Sequence, residues 1–485
     1  MPIAQRLLPK SPTIVFPLLA AALLVFARLG APELWTLEGR WAAITSHMLS
    51  SHDYFHPYLY GEPYYDKPLL SYWLMIFVSR ISGALDEWSL RAPGALSGVL
   101  AVGCTYRLGR ACLSRETGMI AASLLATCFM FVFWSRVASA DMLNLAGTVA
   151  AVTWYFERRD QPGFSSYAVF FLILALTCLA KGLVAVIAPL VLIPELISSS
   201  GWRRHLRPSM GMAILVGLAV YMAPFLISSV SQGDYGVSGL SLVVRENIVR
   251  YVDPFDHREP VYVYFLYLPV YLLPWSLLLP WVVSSAVQRW KTMSPASRWP
   301  IWASLLIFGF LTASGSRRSY YILPILPFAT LVIAEWLQSK GDRVIRIAAT
   351  AALASWALML VWFGLIAPYS FTLGGERLLA KEARAVAERK APWGEWGVLQ
   401  CGAPPSVGYY FQTRSEAEGI AGDDREGIRS YLDKHPRTVL VTKRKFLETV
   451  RSVVPEASMI EERPRIPKFL GRARVSDRDL VALIP

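Results

Sequence analysis

Charge is scarce in this chain. Of its 485 residues 17% are Asp, Glu, Lys or Arg, while 54% are apolar. A soluble domain carries roughly 25% charged residues, so a soluble globular protein is excluded for most of the length. Cysteine is sparse too: Cys104, Cys112, Cys128 and Cys178 lie in apolar stretches and Cys401 stands alone near the end. Without a Cys-x-x-Cys spacing the sequence offers neither a thiolate zinc site nor a disulfide in its tail. It also lacks a Gly-rich phosphate loop following a strand, which argues against a nucleotide-sugar site. The apolar run from Thr13 to Phe26 has a short basic flank, Arg6 and Lys10, but no small-x-small cleavage site before a polar start. It reads as an uncleaved first span.

The charge that is present is unevenly placed. From Tyr369 to the end, 117 residues hold 20 basic and 16 acidic groups, about 31%. The preceding 368 residues hold 28 and 19, about 13%. This divides the chain into a membrane-embedded part, 1–368, and a small soluble part, 369–485. Mostly apolar windows of about 17 to 25 residues can cross the hydrocarbon core. Eleven are expected: 13–29, 92–111, 117–136, 141–157, 166–181, 183–199, 208–230, 261–287, 298–314, 320–338 and 344–367. The stretch 166–199 is broken only at Lys181-Gly182, so the number could rise to thirteen or fall to nine.

Net charge is +13. On a soluble surface that would suggest nucleic acid, but most basic residues sit in short loops between apolar runs. Sixteen of the 28 outside the tail fall on alternate loops, from Arg6 and Lys10 through Arg203, Arg204 and Arg207 to Lys340, Arg343 and Arg346. Those loops are expected to face the cytoplasm, which puts the N-terminus inside and the tail outside. The other twelve are Arg28, Arg40, Lys67, Arg80, Arg91, Arg136, Lys181, Arg245, Arg250, Arg258, Arg317 and Arg318, and they gather on the outer side. Basic residues at a membrane boundary suit recognition of phosphate or carboxylate.

The first outer loop, 30–91, carries EGRWAAITSHML at 38–49 and LLSYWLMIFV at 69–78. Both read as helices in the membrane interface, with Trp41, Ile44, Met48 and Leu49 on the lipid side of the first. The polar residues of the same outer level are Glu38, Arg40, Tyr64, Tyr65, Asp66, Lys67, Asp141, Lys181 and the pair Arg317-Arg318. Acids and bases gathered there suit a reaction that takes a proton from an acceptor while neutralising a departing phosphate. Each has a plainer alternative: solvation for Glu38 and Asp66, a helix N-cap for Asp141, snorkelling for Lys181. His257 is more readily an ordinary loop histidine than a ligand.

Five strings then carry a resemblance: ELWTLEGRWAAITSHML, GEPYYDKPLLSYW, SLRAPGALSG, SADM and SGSRRSYYILPILP. In this order they resemble the lipid-linked-sugar glycosyltransferases of the GT-C superfamily, in particular bacterial lipid A aminoarabinose transferases and the protein O-mannosyltransferase-like group. The tail, 369–485, reads from its own patterns as a small extracytoplasmic α/β domain, whereas the resemblance spans roughly 30–335 and implies a polytopic helical membrane enzyme. It implies an undecaprenyl- or other polyprenyl-phosphate sugar donor, an acceptor that is lipid A, a glycan or a protein, and no nucleic acid. Position by position, it assigns Glu38 and Asp141 to catalysis. To the donor phosphate or substrate it assigns Arg40, Tyr64, Asp66, Lys67, Arg317, Arg318 and Tyr321, and the outer position of Lys181 adds that residue to the set. No cofactor is required by it, although Asp66 and His257 match the positions where some relatives hold a divalent metal. One departure stands out: the family's usual Asp-Glu before the Arg is Leu37-Glu38 here. A lipid-linked oligosaccharide ligase or polymerase, or a lipid or sugar transporter, would share the topology. A ligase would be expected to place its essential Arg and His in one large outer loop. A transporter would want broken polar spans at the bilayer midplane.

In the tail, helices are expected at 374–390, 424–434 and 443–453, and strands at 396–401, 407–411 and 438–442.

Overall fold

A computed structural model describes residues 14–198, 201–230, 239–254, 258–370, 375–413, 417–462 and 476–485. By contacts it divides into two compact units. One comprises Met1–Ala27, Tyr65–Ser71 and Arg91–Val361, the other Arg28–Tyr64, Tyr72–Leu90 and Trp362–Pro485. The tail therefore does not stand alone, since it packs with most of the first outer loop.

The first unit is helical. Among the described residues, four helices or helical runs are long and apolar enough to cross a membrane: Phe164–Lys181, Pro208–Val230, Ser319–Gln338 and Asp342–Ile366, the last ending just past the unit. Two further pairs pass together but are sharply bent: Arg115–Ala126 with Phe129–Ser135 by 67°, and Val263–Tyr271 with Trp275–Arg289 by 109°. These fall in windows expected to be continuous, 117–136 and 261–287. The two breaks satisfy one another. The Phe129 amide donates to Leu273 O at 3.1 Å, and Trp275 Nε1 donates to Leu124 O and Thr127 Oγ1 at 3.0 and 3.1 Å. Irregular backbone at membrane depth persists where protein supplies the missing partners.

Helix ends follow from local chemistry. Ser114 caps Arg115–Ala126 by accepting from the Thr117 amide at 3.1 Å. Phe164–Lys181 stops at Gly182, whose φ of +107° suits glycine. A Cβ there would also stand 2.5 Å from Asn247 Oδ1. That oxygen accepts from the Leu183 amide at 2.8 Å, and the chain resumes as a 3-10 turn before Ile187–Ser198. The break expected at Lys181-Gly182 is thus a real one.

In the second unit, helix Glu38–Ser51 has Trp41, Ile44 and Met48 almost fully buried, with Trp41 against Tyr72 at 4.8 Å between ring centroids. The expectation that this side lies in lipid is corrected: it faces protein, because Tyr72 and Met75 of helix Leu70–Ser82 cover it. That second helix does leave Phe77 and Ile81 exposed. Between the two helices runs a hairpin of β1 (Tyr58–Leu59) and β2 (Glu62–Pro63). Its two-residue turn, Tyr60-Gly61, has φ of +60° and +82°, the left-handed geometry of tight hairpins.

The tail forms a five-stranded sheet. Its strands are β3 (Gly397–Cys401), β4 (Glu418–Ile420), β5 (Thr438–Lys443), β6 (Ser458–Glu461) and β7 (Leu480–Ile484), in the order β4-β3-β5-β7-β6. β3 is parallel to β4 and β5, whereas β7 runs antiparallel to β5 and β6. Alternation splits the core in two. Val398, Val439, Val441 and Ala482 pack with helix Glu376–Ala387, and Leu399, Leu440, Val481 and Leu483 pack with Ile428 and Val450. The stretch 407–411, expected as a strand, is instead part of the short helix Ser406–Tyr410, which buries Val407 and Tyr409. Strands β4, β6 and β7 were not anticipated: β4 has three residues, β6 is largely exposed, and β7 lies at the extreme end of the chain.

Candidate functional site

In the first unit, Asp141 opens helix Asp141–Arg158 and is 6% exposed. Its Oδ1 accepts from Lys181 Nζ at 2.5 Å. The ammonium also lies 4.9 Å from the Tyr321 ring centroid. A buried carboxylate, its cation and an aromatic face thus meet at the ends of three elements. The N-cap alternative for Asp141 finds no support in its bonding, because the residue before it, Ala140, is the cap and makes no side-chain bond.

Lys67 belongs to the same neighbourhood. Ser71 Oγ donates to Ala180 O at 2.9 Å, tying the 65–71 segment to the end of the Lys181 helix. Lys67 Nζ lies 3.6 Å from Glu246 Oε2 and donates to Asp66 O at 3.0 Å. Glu246 Oε2 also accepts from Arg250 Nη1 at 2.5 Å, and Arg250 Nε donates to Ser316 Oγ at 3.2 Å. Sequence reasoning placed Arg250 in the outer basic set without a role of its own, and it named neither Glu246 nor Asn247 as a functional residue. The signal was present in RENIVR, a Glu four residues before an Arg, but nothing in the string shows that Lys67 arrives opposite.

Other basic residues of the outer set have protein partners of their own. Arg136 caps helix Val15–Phe26, donating to Leu24 O, Val25 O and Ala27 O at 2.8 to 2.9 Å. Arg317 donates to Thr312 O and Glu259 O, and Arg318 Nη1 donates to the Tyr320 hydroxyl at 2.8 Å. Arg258 pairs with Asp253 at 3.2 Å.

In the second unit, Glu38 is 1% exposed and its Oε2 accepts from the Trp35 amide at 2.6 Å. Arg40 Nη1 donates to the Tyr64 hydroxyl at 2.8 Å, with its guanidinium over the Tyr64 and Trp41 rings. Of the metal candidates, Asp66 belongs to no group of three or more potential ligands among the described residues, and His257 lies outside them.

Three comparisons bear on this arrangement. Residues 66–227 match the dolichyl-phosphate-mannose-protein mannosyltransferase family. The undecaprenyl phosphate-alpha-4-amino-4-deoxy-L-arabinose arabinosyl transferase of Shewanella sediminis is 27% identical over 65% of this chain and 58% of its own length. The enzyme of the same name from Pseudomonas aeruginosa (strain UCBPP-PA14) is 28% identical over 65% and 58%. The chain thus matches somewhat more than half the length of these relatives. Among solved structures, ArnT from Cupriavidus metallidurans, determined with undecaprenyl phosphate, superposes with a TM-score of 0.74 at 17% identity, covering 97% of both chains. The Archaeoglobus fulgidus oligosaccharyltransferase gives 0.56 at 14% identity, covering 90% of this chain and 68% of that one. This chain shares the fold of ArnT and resembles the GT-C lipid-linked-sugar glycosyltransferases, the aminoarabinose transferases in particular.

Proposed function

We propose that the protein is a membrane glycosyltransferase that moves a sugar from a polyprenyl-phosphate donor to a lipid, glycan or protein acceptor on the extracytoplasmic face. The observation that carries this reading is the grouping of Asp141, Lys181 and Tyr321, joined through Ser71 and Ala180 to the segment that holds Lys67. Asp141 orients the acceptor hydroxyl and takes its proton as the acceptor oxygen bonds to the anomeric carbon. The bond from that carbon to the phosphate oxygen breaks, and the lipid phosphate leaves with the electron pair. Lys181, Lys67 and Arg250 stabilise its growing charge, and such preorganised cations supply a large electrostatic contribution. Arg40, Tyr64 and Asp66 bind substrate, and Arg317, Arg318 and Tyr321 line the phosphate side.

Glu38 is assigned a supporting part. A carboxylate already accepting from the Trp35 amide at the start of its own helix suits a positioning role better than proton transfer. This favours Asp141 as the group that serves where the usual acidic pair has become Leu37-Glu38. The reading further includes eleven spans in an inner membrane, a cytoplasmic N-terminus, a membrane domain over 1–368 and an extracytoplasmic domain over 369–485. It requires no cofactor.

Membranes containing the protein, incubated with a labelled polyprenyl-phosphate sugar, should move one sugar to an acceptor. Asp141→Asn and Lys67→Ala should abolish transfer at unchanged abundance, and Glu38→Gln should impair it. Full activity in all three would remove the site assignment. Intact label crossing sealed vesicles would instead identify a transporter.

A further inference from the structure

Two residues that the sequence did not mark meet next to the phosphate side of the site. Trp134 belongs to Phe129–Ser135, the second half of the first bent pair, and Tyr271 ends Val263–Tyr271, the first half of the second. Both are 3% exposed. Trp134 Nε1 donates to the Tyr271 hydroxyl at 3.1 Å, and that hydroxyl donates a long bond to Ser319 Oγ at 3.5 Å. Ser319 opens the 3-10 segment Ser319–Ile325, directly after Arg318.

The indole also packs on the next residue of that segment. Its ring centroid lies 4.5 Å from that of Tyr320, with the planes tilted by 39°. Tyr320 in turn touches two residues of the site. Its hydroxyl accepts from Arg318 Nη1, whose guanidinium lies 5.7 Å from its ring centroid, and its ring stands edge-on to Tyr321 at 5.1 Å. Tyr321 is the ring that faces the Lys181 ammonium.

We propose that Trp134 and Tyr271 are positioning residues for the donor phosphate. They hold Tyr320, and through it they set Arg318 and the Tyr321–Lys181 pair before the phosphate arrives. The proposal takes from the transfer reading what those two cations bind. Lys and Arg are among the side chains that lose most rotamer freedom when ordered, so a cation left loose gives back part of what it gains from the phosphate. A cation set in place beforehand needs no reorganisation as charge develops on the leaving group. Packing alone would leave the indole free to turn in its own plane, and the Nε1 bond fixes that rotation. Its acceptor is the hydroxyl that also reaches Ser319. One chain of hydrogen bonds therefore holds both the stacked ring and the backbone that carries Arg318, Tyr320 and Tyr321.

The test uses the full chain in lipid nanodiscs with undecaprenyl phosphate as the probe, reading its dissociation constant and the melting temperature of each variant. The parent should bind the probe. Tyr271→Phe and Trp134→Phe should each weaken binding about tenfold, the worth of one hydrogen bond. Tyr271→Phe should also lower the melting temperature, because the Trp134 N–H is left buried without its acceptor. The double variant leaves no such group unmatched. Its melting temperature should return toward that of the parent while binding stays about tenfold weaker, because both changes break one contact. A part played in folding alone would move the melting temperature and leave binding by the folded protein unchanged, and that result in the single variants would overturn the proposal. Parental binding regained in the double variant together with the melting temperature would overturn it equally. A parent that does not bind the probe would remove the donor reading and the proposal with it, so the parent tells the two failures apart.

Discussion

Asp141 and Glu38 are both acids at the first position of a helix, both almost fully buried, and the hydrogen bonds described for them differ. Asp141 meets a lysine ammonium beside a tyrosine ring, whereas Glu38 accepts from a backbone amide three residues away. A carboxylate held by a main-chain amide fixes the chain where the helix begins. One held by a mobile side chain can be handed to a ligand, because the lysine can turn toward an incoming phosphate. On the proposed reading, the same helix position carries proton transfer at Asp141 and positioning at Glu38.

The sharpest way to break this contrast is at Lys181. Lys181→Ala should lower transfer by roughly 10²–10³-fold, as loss of one preorganised charge-stabilising group does, and should also destabilise the protein by about 3–5 kcal/mol because Asp141 is left buried and unpaired. In the double variant Asp141→Asn with Lys181→Met, the melting temperature should return and transfer should not. Recovery of both would make the pair structural.

A smaller effect is expected in the second unit at Tyr410. Its hydroxyl donates to Glu87 Oε1 at 2.9 Å and accepts from the Leu34 amide at 2.8 Å, while Arg377 Nη2 donates to the same carboxylate oxygen at 2.5 Å. Burial, and then the Glu87 charge, push the Tyr410 hydroxyl up, so it stays a donor throughout the working range. Tyr410→Phe should cost about 1–3 kcal/mol in thermal unfolding with transfer per folded molecule unchanged. Glu246→Gln should move both readouts. By removing one negative partner of Lys67 and Arg250 it should change KM for the donor by about tenfold, worth about 1.4 kcal/mol, and it should lower stability as well, because the pair with Arg250 is mostly buried.

The smallest effect concerns Asp53. Burial pushes its carboxyl up, but the amides of Phe55 and His56 and the His56 ring together hold it below its ordinary value of 3.8. A depressed folded value contributes stability above the unfolded value, lost as pH falls through the folded one. Asp53→Asn should therefore cost under about 1 kcal/mol at neutral pH, since the site is partly solvated. The difference from the parent should begin to shrink as pH falls past 3.8 and vanish once it has passed the lower folded value. An unchanged difference at pH 3 would remove the titration argument.

What the sequence made legible follows from how local each signal is. Asp141, Lys181, Lys67 and Tyr321 could be named because each sits at a boundary between an apolar run and a loop, and the run fixes its level. That Lys181 pairs with Asp141 could not be read, because forty residues separate them and only packing of helices Asp141–Arg158 and Phe164–Lys181 brings them together. Glu246 was invisible as a partner for the same reason. The helix 38–49 was found correctly, but its apolar stripe has one appearance whether lipid or protein covers it. In the tail, the buried run Thr438–Lys443 announced β5, while the short and exposed strands β4 and β6 carried too few apolar residues to be seen.

The meeting of the two broken spans has a consequence for biogenesis. The Phe129 amide finds its acceptor in Leu273, a residue made long after the bend at 127–128 has left the ribosome. Until then the hydrogen bond between the two breaks cannot form, and irregular backbone at membrane depth depends on such protein partners. The contact between the two bent pairs forms only when the second arrives. Truncation before residue 263 should therefore leave the early helices inserted but open to protease at the bend, and synthesis through Trp275 should close it.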